Sequence, residues 1–287
     1  TKSNFNDASL SATLETDNQS VTANVTLLAN TCQAGTVSGK ITDAVTSANV
    51  DNASINARSG LNVTSGSTTG TTTTATNGTY TLSSMSAGGY TVEVNKSGYI
   101  TTYFNVNVCG NLTNQNASMS EQLSSGTMRI VLSWPSGSTA DDLDSHLEIP
   151  DNASSTFHVY YPNNNKTFYY AKNANTCSSC SSDQLSDNVT LDRDDYEGPG
   201  TETITITKVR SGTYSYSVAD YDRVNSASST VLSKSGASVK VYYNNTTTTF
   251  NVPNSAGALW RVFTFTTSGG LIASGNMSSA SNSGSVY

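Results

Sequence analysis

The stretch AGGYTVEV, residues 87–94, sets Tyr90, Val92 and Val94 at every second position directly after a Gly-Gly pair. Side chains alternate across a strand with a period of two, so this reads as a half-buried strand entered from a turn. The pattern recurs along the chain. Runs of Val, Ile, Thr and Tyr alternate with Gly, Asn and Ser clusters at short spacing, and helical periodicity is nearly absent. That combination predicts an all-β protein made of β-sandwiches. Around the opening stretch, strand-like runs lie near 36–42, 53–57, 71–75, 79–83, 89–95, 101–108 and 112–119. Asn77-Gly78 suits a type I′ hairpin turn, and Thr64–Thr76 is a low-complexity loop with a Thr-rich strand in it.

A length of 287 residues gives a prior of two domains, and the expectation is two sandwiches in series. Residues 1–31 form an N-terminal extension, 32–124 a first sandwich, 125–275 a larger second one, and 276–287 a Ser/Gly-rich tail. Within the extension, Leu10, Ala12 and Leu14, then Val21, Ala23, Val25 and Leu27, mark two strands that belong to neither sandwich.

Composition bounds the location. Charged residues are 12% of the chain, while 46 Ser, 42 Thr and 30 Asn take over the solvating role. A net charge of −7 argues against nucleic acid, which wants a basic stripe. No apolar run approaches the roughly 18–20 residues of a membrane helix. Thr1 opens a polar segment without a signal-peptide pattern, so any export signal is expected to have been removed. Fourteen N-x-S/T sequons exceed the roughly nine that this composition gives by chance. The candidate glycosylation sites are Asn24, Asn52, Asn62, Asn77, Asn95, Asn111, Asn116, Asn152, Asn165, Asn188, Asn245 and Asn276. Of four cysteines, Cys32 and Cys109 bracket one segment that reads as a single domain, and Cys177 and Cys180 sit in a polar loop. Three pairings are possible, and 32–109 with 177–180 is preferred. The implied compartment is extracellular or the cell surface.

Two family resemblances add to this. SGKITD (38–43), TNGTYTL (76–82), AGGYTVEV (87–94) and KSGY (96–99) make the first domain similar to carboxypeptidase regulatory-like modules. That resemblance implies a small transthyretin-like sandwich with a spacer or interaction role. In the related pilin-type Cna-B sandwiches, a Lys–Asn isopeptide cross-link would use Lys40, Glu93 and Asn105 or Asn107. The preferred reading keeps Lys40 as a surface residue and Glu93 as a solvated one. The second domain resembles the YfaP-like bacterial secreted proteins through LSW (132–134), DDLDSHLEIP (141–150), FHVYY (157–161), LDRDDYEGPGTETITI (191–206), GTYSYSVADYD (212–222), SGASVKVYY (235–243) and FNVP with LWRVFTF (within 250–265). This implies a β-sandwich and no known reaction.

The chemistry concentrates in one window. Between Asp141 and Glu202 lie 12 of the 21 carboxylates against three cations, a local balance of −9, and both histidines fall there too. Alternation puts Asp142, Asp144 and His146 on one strand face. A hairpin centred on Asn152 sets His146 opposite His158, and Asp192 and Asp194 would close a site from another strand. Asp142, Asp144, His146, His158, Asp192 and Asp194 are thus the candidate metal ligands. Carboxylates favour Ca²⁺, while two histidines with a carboxylate favour Zn²⁺ or Mn²⁺; a solvated acidic face is the alternative to both. No organic cofactor is expected. Paired carboxylates such as Asp142 and Asp144 with Glu202 would be the set for glycoside hydrolysis, but no catalytic motif accompanies them, and no enzyme is expected.

The expected function is a non-catalytic structural subunit of a filament or surface assembly. Its partners would be copies of itself joined head to tail, with residues 9–28 adding a strand to a neighbour's sheet edge or else pairing within their own chain. The second reading is a calcium-dependent adhesin binding surface glycans.

Overall fold

The computed structural model describes residues 3–5, 27–135, 138–150, 156–162, 167–170, 179, 181–182, 187–196, 198 and 200–286. The expected strands at 9–28 fall almost wholly outside them, as do Asn24, Asn152, Asn165, Cys177 and Cys180. The fold is all-β. Contacts divide the chain into one unit of Thr1–Ile41, Asn49–Ser97 and Thr101–Ala117 and a second of Thr42–Ala48, Gly98–Ile100 and Ser118–Tyr287.

Seven strands build the first sandwich: β1 (Gly35–Asp43), β2 (Ser54–Ser59), β3 (Gly70–Thr73), β4 (Thr79–Met85), β5 (Gly88–Asn95), β6 (Thr102–Val108) and β7 (Ala117–Met119). Their sheets run β4-β1-β7 and β3-β2-β5-β6. Tyr90, Val92 and Val94 of β5 are buried, as the alternation requires, together with Ile55, Ala57, Val106 and Val108 from its neighbours. The run at 112–119 is regular only over Ala117–Met119; before it, Leu112 makes an isolated parallel bridge to Val37.

The Asn77-Gly78 turn differs from the expected type I′. That type needs positive φ at both central residues, and only Gly78 has it, at 77°. Gly78 N donates to Ala75 O at 2.8 Å and Ala75 N to Thr79 O at 2.8 Å, so the loop has three residues with Gly78 in the left-handed position. Asn77 instead uses its side chain, Oδ1 accepting from Thr79 N at 3.1 Å and Thr79 Oγ1 at 2.7 Å. Glu93 is not solvated: it pairs with Arg58 Nη1 at 3.0 Å and accepts from Asn56 Nδ2 at 3.1 Å. Asn105 is engaged with Asn62 and Thr91.

The second unit holds β8 (Met128–Ser133), β9 (Leu143–Pro150), β10 (Thr156–Val159), β11 (Thr167–Tyr169), β12 (Asn188–Arg193), β13 (Thr201–Ile206), β14 (Tyr214–Asp220), β15 (Ser238–Tyr243), β16 (Thr246–Asn251), β17 (Leu259–Thr266) and β18 (Gly270–Ser278). They form two sheets, β10-β9-β14-β17-β18 and β11-β12-β13-β8-β15-β16. A continuous core, with Phe168, Tyr170, Tyr214, Tyr216, Trp260 and Phe263 among its largest members, fills this sandwich. Part of the expected tail is ordered structure: β18 runs to Ser278, a 3₁₀ turn spans Ser283–Ser285, and Val286 is buried.

Cys32 and Cys109 form a disulfide across a sequence separation of 77. Cross-linking a loop of that length constrains the unfolded chain by about 4 kcal/mol. Replacing both cysteines by serine should therefore lower the stability of the first unit by roughly 2–4 kcal/mol. Urea unfolding of the full chain reads this, and an unchanged midpoint would show that the bridge carries no such constraint.

A candidate cation-binding pocket

Three elements bring acidic groups to one end of the second sandwich. Asp144 is the second residue of β9, Asp194 follows β12 directly, and Glu202 is the second residue of β13. One carboxylate oxygen from each lies within 4.8 Å of the others. The loop that follows Asp194 is tethered at two described glycines. Gly200 accepts at its carbonyl from Trp134 N at 3.1 Å, and a Cβ there would stand 2.7 Å from the Trp134 ring, so only glycine allows this approach. Gly198 N donates to Asp141 O at 2.8 Å, tying the same loop to the segment before β9.

Glu202 is the residue that the sequence reading left out of its metal set. In TETITI it alternates with Ile204 and Ile206, which belong to the core, so its carboxylate points between the sheets. It is 1% exposed. Oε2 accepts from Ser145 N at 2.5 Å, a link from the six-stranded to the five-stranded sheet, while Oε1 has no hydrogen-bond partner among the described residues. Asp144 is 2% exposed, and its Oδ2 is likewise without a partner.

Beside this group, with Asp144 and Asp194 but not Glu202 on its wall, opens a pocket of about 440 Å³ lined also by Asp141, Asp142, Asp222, Tyr161, Tyr196 and Tyr221. The electrostatics follow from burial and crowding. Burial, then Asp142, Asp194 and Asp220, push the Asp144 carboxyl up to about 8. Burial and its acidic neighbours, Asp194 first, raise Asp142 to about 6. Burial, then Asp144, drives Glu202 well above the carboxylate range. Nearby arginines are committed elsewhere: Arg193 pairs with Asp195 at 2.7 Å, and Arg223 with Asp220 at 3.2 Å.

Of the six expected ligands, Asp144 and Asp194 come together and Asp142 stands on the pocket wall. Asp192 lies apart. A register shift between Leu191 and Arg193 sets it where Thr205 hydrogen-bonds it and Arg129 faces it. The hairpin register also differs by two residues, because His158 opposes Glu148 rather than His146. The imidazoles still meet, His146 Nδ1 lying 2.9 Å from His158 Nε2 on the diagonal, with Tyr160 stacked on His158 at 4.0 Å. Burial, with His158 beside it, lowers His146 well below the usual histidine range, and burial lowers His158 to about 4. Both rings are therefore neutral at neutral pH.

The first unit has a different standing. Its two sheets, its Gly78 turn and its Gly-Gly entry to β5 carry the pattern of a known module. Residues 36–120 match the carboxypeptidase regulatory-like domain. The matched segment supplies none of the pocket residues. No curated protein matches the chain. Among solved structures, the chain is similar to a type II cohesin–X–dockerin complex from Acetivibrio cellulolyticus, at 22% identity over 30% of this chain and 58% of that one, with a TM-score of 0.24. The chain thus spans little more than half the length of that protein. It is also similar to the major pilin SpaD of Corynebacterium diphtheriae, at 11% identity over 76% of this chain and 64% of that one, with a TM-score of 0.27. A putative carbohydrate-binding protein from Bacteroides uniformis gives 9% identity over 76% of this chain and 98% of that one, with a TM-score of 0.26. Overlaps this loose carry no inference about partner or ligand.

The raised carboxyls fix the sign of a pH effect. A carboxyl that titrates higher in the folded state than in the unfolded state binds its proton on folding, so stability rises as pH falls between the two values. Asp144 at about 8 against 3.8 unfolded sets that window, and the neutral histidines oppose it increasingly as the pH approaches 6.5. In chelator, lowering pH from 8 to 6.5 should stabilise the second unit by about 1–2 kcal/mol, the scale of one proton taken up. Denaturant titrations at several pH values measure this, and a flat or falling profile across the window would contradict the crowding of Asp144.

Proposed function

We propose that the chain is a non-catalytic extracellular structural protein, a subunit of a filament or surface assembly whose copies join head to tail by strand addition. The observation that carries this reading is the edge of the six-stranded sheet. Strand β16, TTTTFN, pairs with β15 in unbroken register and has no further neighbour in its sheet among the described residues. Soluble proteins guard such edges with charges, proline, bulges or short strands. The other edges of this sandwich have such features: β10 and β11 are short, and β18 carries a bulge opposite Arg261–Phe263. β16 has none, and four of its six residues are exposed. In the first unit, β6 is a second uncharged edge of seven residues. The alternating run at 9–28 has the composition of a donor strand for such an edge.

The disulfide supports an oxidising compartment. No helix among the described residues is long and apolar enough to cross a membrane. Sequon residues Asn52, Asn62, Asn77, Asn95, Asn111, Asn116, Asn245 and Asn276 are exposed and Asn188 half-buried, which leaves most of them accessible to a glycosylating enzyme. The YfaP-like resemblance of the second domain belongs with this secreted reading. A second reading, a calcium-dependent adhesin for surface glycans, is favoured by Tyr196 and Tyr221, 69% and 44% exposed on the wall of the acidic pocket. Apolar ring faces beside polar groups suit sugars.

Two variants of the full chain test strand addition by negative-stain microscopy and sedimentation. Deletion of residues 1–28 should abolish assembly, and so should Thr247→Lys with Thr249→Lys, which charges the β16 edge. If the parent chain stays monomeric, or both variants assemble as the parent does, strand addition at β16 is wrong. A glycan array probed with and without chelator separates the adhesin reading, which requires chelator-sensitive binding.

A further inference from the structure

We propose that Asp144, Asp194 and Glu202 bind one divalent cation, calcium by their chemistry, and that this ion joins the two sheets of the second sandwich at their acidic end. The proposal goes beyond the assembly reading and does not depend on it.

Geometry comes first. The three carboxylates come from β9 in one sheet, β13 in the other and the loop after β12, and converge to within 4.8 Å. Oxygens on opposite sides of a calcium ion held at about 2.3–2.6 Å stand roughly 4.6–5.2 Å apart, so the group can surround one ion. The second observation is independent of the clustering. Glu202 Oε1 and Asp144 Oδ2 are buried in side chains 1% and 2% exposed, and neither oxygen has a hydrogen-bond partner among the described residues. A buried carboxylate oxygen without a partner is strongly disfavoured. Two of them in one three-carboxylate cluster, with Arg193 and Arg223 already paired to other aspartates, call for a positive charge that no ion pair among the described residues supplies.

Ligand type selects the ion. The set is entirely carboxylate oxygen, with neither imidazole nor thiolate among its members. Such sets suit hard cations and disfavour zinc. Magnesium demands near-ideal octahedral geometry and dehydrates reluctantly, whereas calcium tolerates an irregular cage with several protein carboxylates. The remaining coordination faces the pocket, where Asp142 and water complete it and where Tyr161, Tyr196 and Tyr221 form the surrounding wall. The same opening is the entry path for the ion. His146 and His158 remain outside the set, engaged with each other at 2.9 Å.

The experiment uses the full chain, stripped with chelator and dialysed, titrated calorimetrically with CaCl₂ and in parallel with MgCl₂ and ZnCl₂, with thermal melts alongside. One equivalent of calcium should bind, more tightly than magnesium, and raise the melting temperature of the second unit. Glu202→Gln keeps an oxygen that can accept from Ser145 N but removes the charge. It should weaken calcium binding at least tenfold, abolish the calcium-induced rise, and raise the melting temperature in chelator. Asp194→Asn, at a less buried position, should weaken binding similarly and serves if the Glu202 variant does not fold. Asp51→Asn, in a surface pair with Lys96, should leave binding unchanged. No calcium uptake at millimolar concentration, undiminished affinity in the Asp194 and Glu202 variants, or stabilisation by zinc alone would each overturn the proposal.

Discussion

The contact between Glu202 Oε2 and Ser145 N is the point on which the acidic end of the second sandwich depends. It sets a carboxylate on the core-facing side of β13, where alternation would otherwise place an aliphatic residue. Glu202 cannot leave this position without turning Ile204 and Ile206 out of the core, because a one-residue slip moves every side chain to the other face. The strand register thus holds the charge in place, and the hydrogen bond to Ser145 satisfies half of it. What is left over, the other oxygen and that of Asp144, defines the chemistry available there.

That local cost contrasts with the rest of the chain. Outside the acidic window the protein is almost neutral and solvates itself with Ser, Thr and Asn. Such a surface leaves strand edges without the lysines that normally prevent pairing. The same compositional choice therefore underlies both the open edges and the isolation of the acidic pocket. With few cations in the chain, and Arg193, Arg210 and Arg223 each bound to an aspartate, the pocket has little internal neutralisation to draw on.

The strands were legible because period-2 burial leaves a direct imprint: Tyr90, Val92 and Val94, or Tyr214, Tyr216 and Val218, are buried where the pattern places them. Turn geometry was less so. Asn77-Gly78 has the composition of a type I′ turn, yet one more residue enters the loop, since the Asn77 side chain caps Thr79 and removes the need for positive φ at Asn77. A hairpin register depends on where its turn closes, so His158 lies two positions from its expected partner. Side-chain reach then restores the contact that the register displaced. Glu202 had a readable signal: a glutamate in phase with two isoleucines. Its carboxylate lies on the apolar face itself, whereas Asp142, Asp144 and His146 are expected on the face opposite the apolar one.

The two histidines stand in surroundings unlike those of the carboxylates near them in sequence. His146 shares a strand with Asp144, but an imidazole that gives its Nδ1 to a neighbouring ring and stacks near Tyr160 is already engaged in an apolar, aromatic environment. Burial there favours the neutral ring, while the carboxylates a few residues away are crowded with like charge. Aromatic contacts run from His158 through Tyr160 and Tyr161 to Tyr221 on the pocket wall. Replacing His158 by a smaller residue would loosen that wall without touching a carboxylate. The two halves of the predicted site therefore play separate parts: the carboxylates can hold charge, and the histidines help shape the aromatic face beside them.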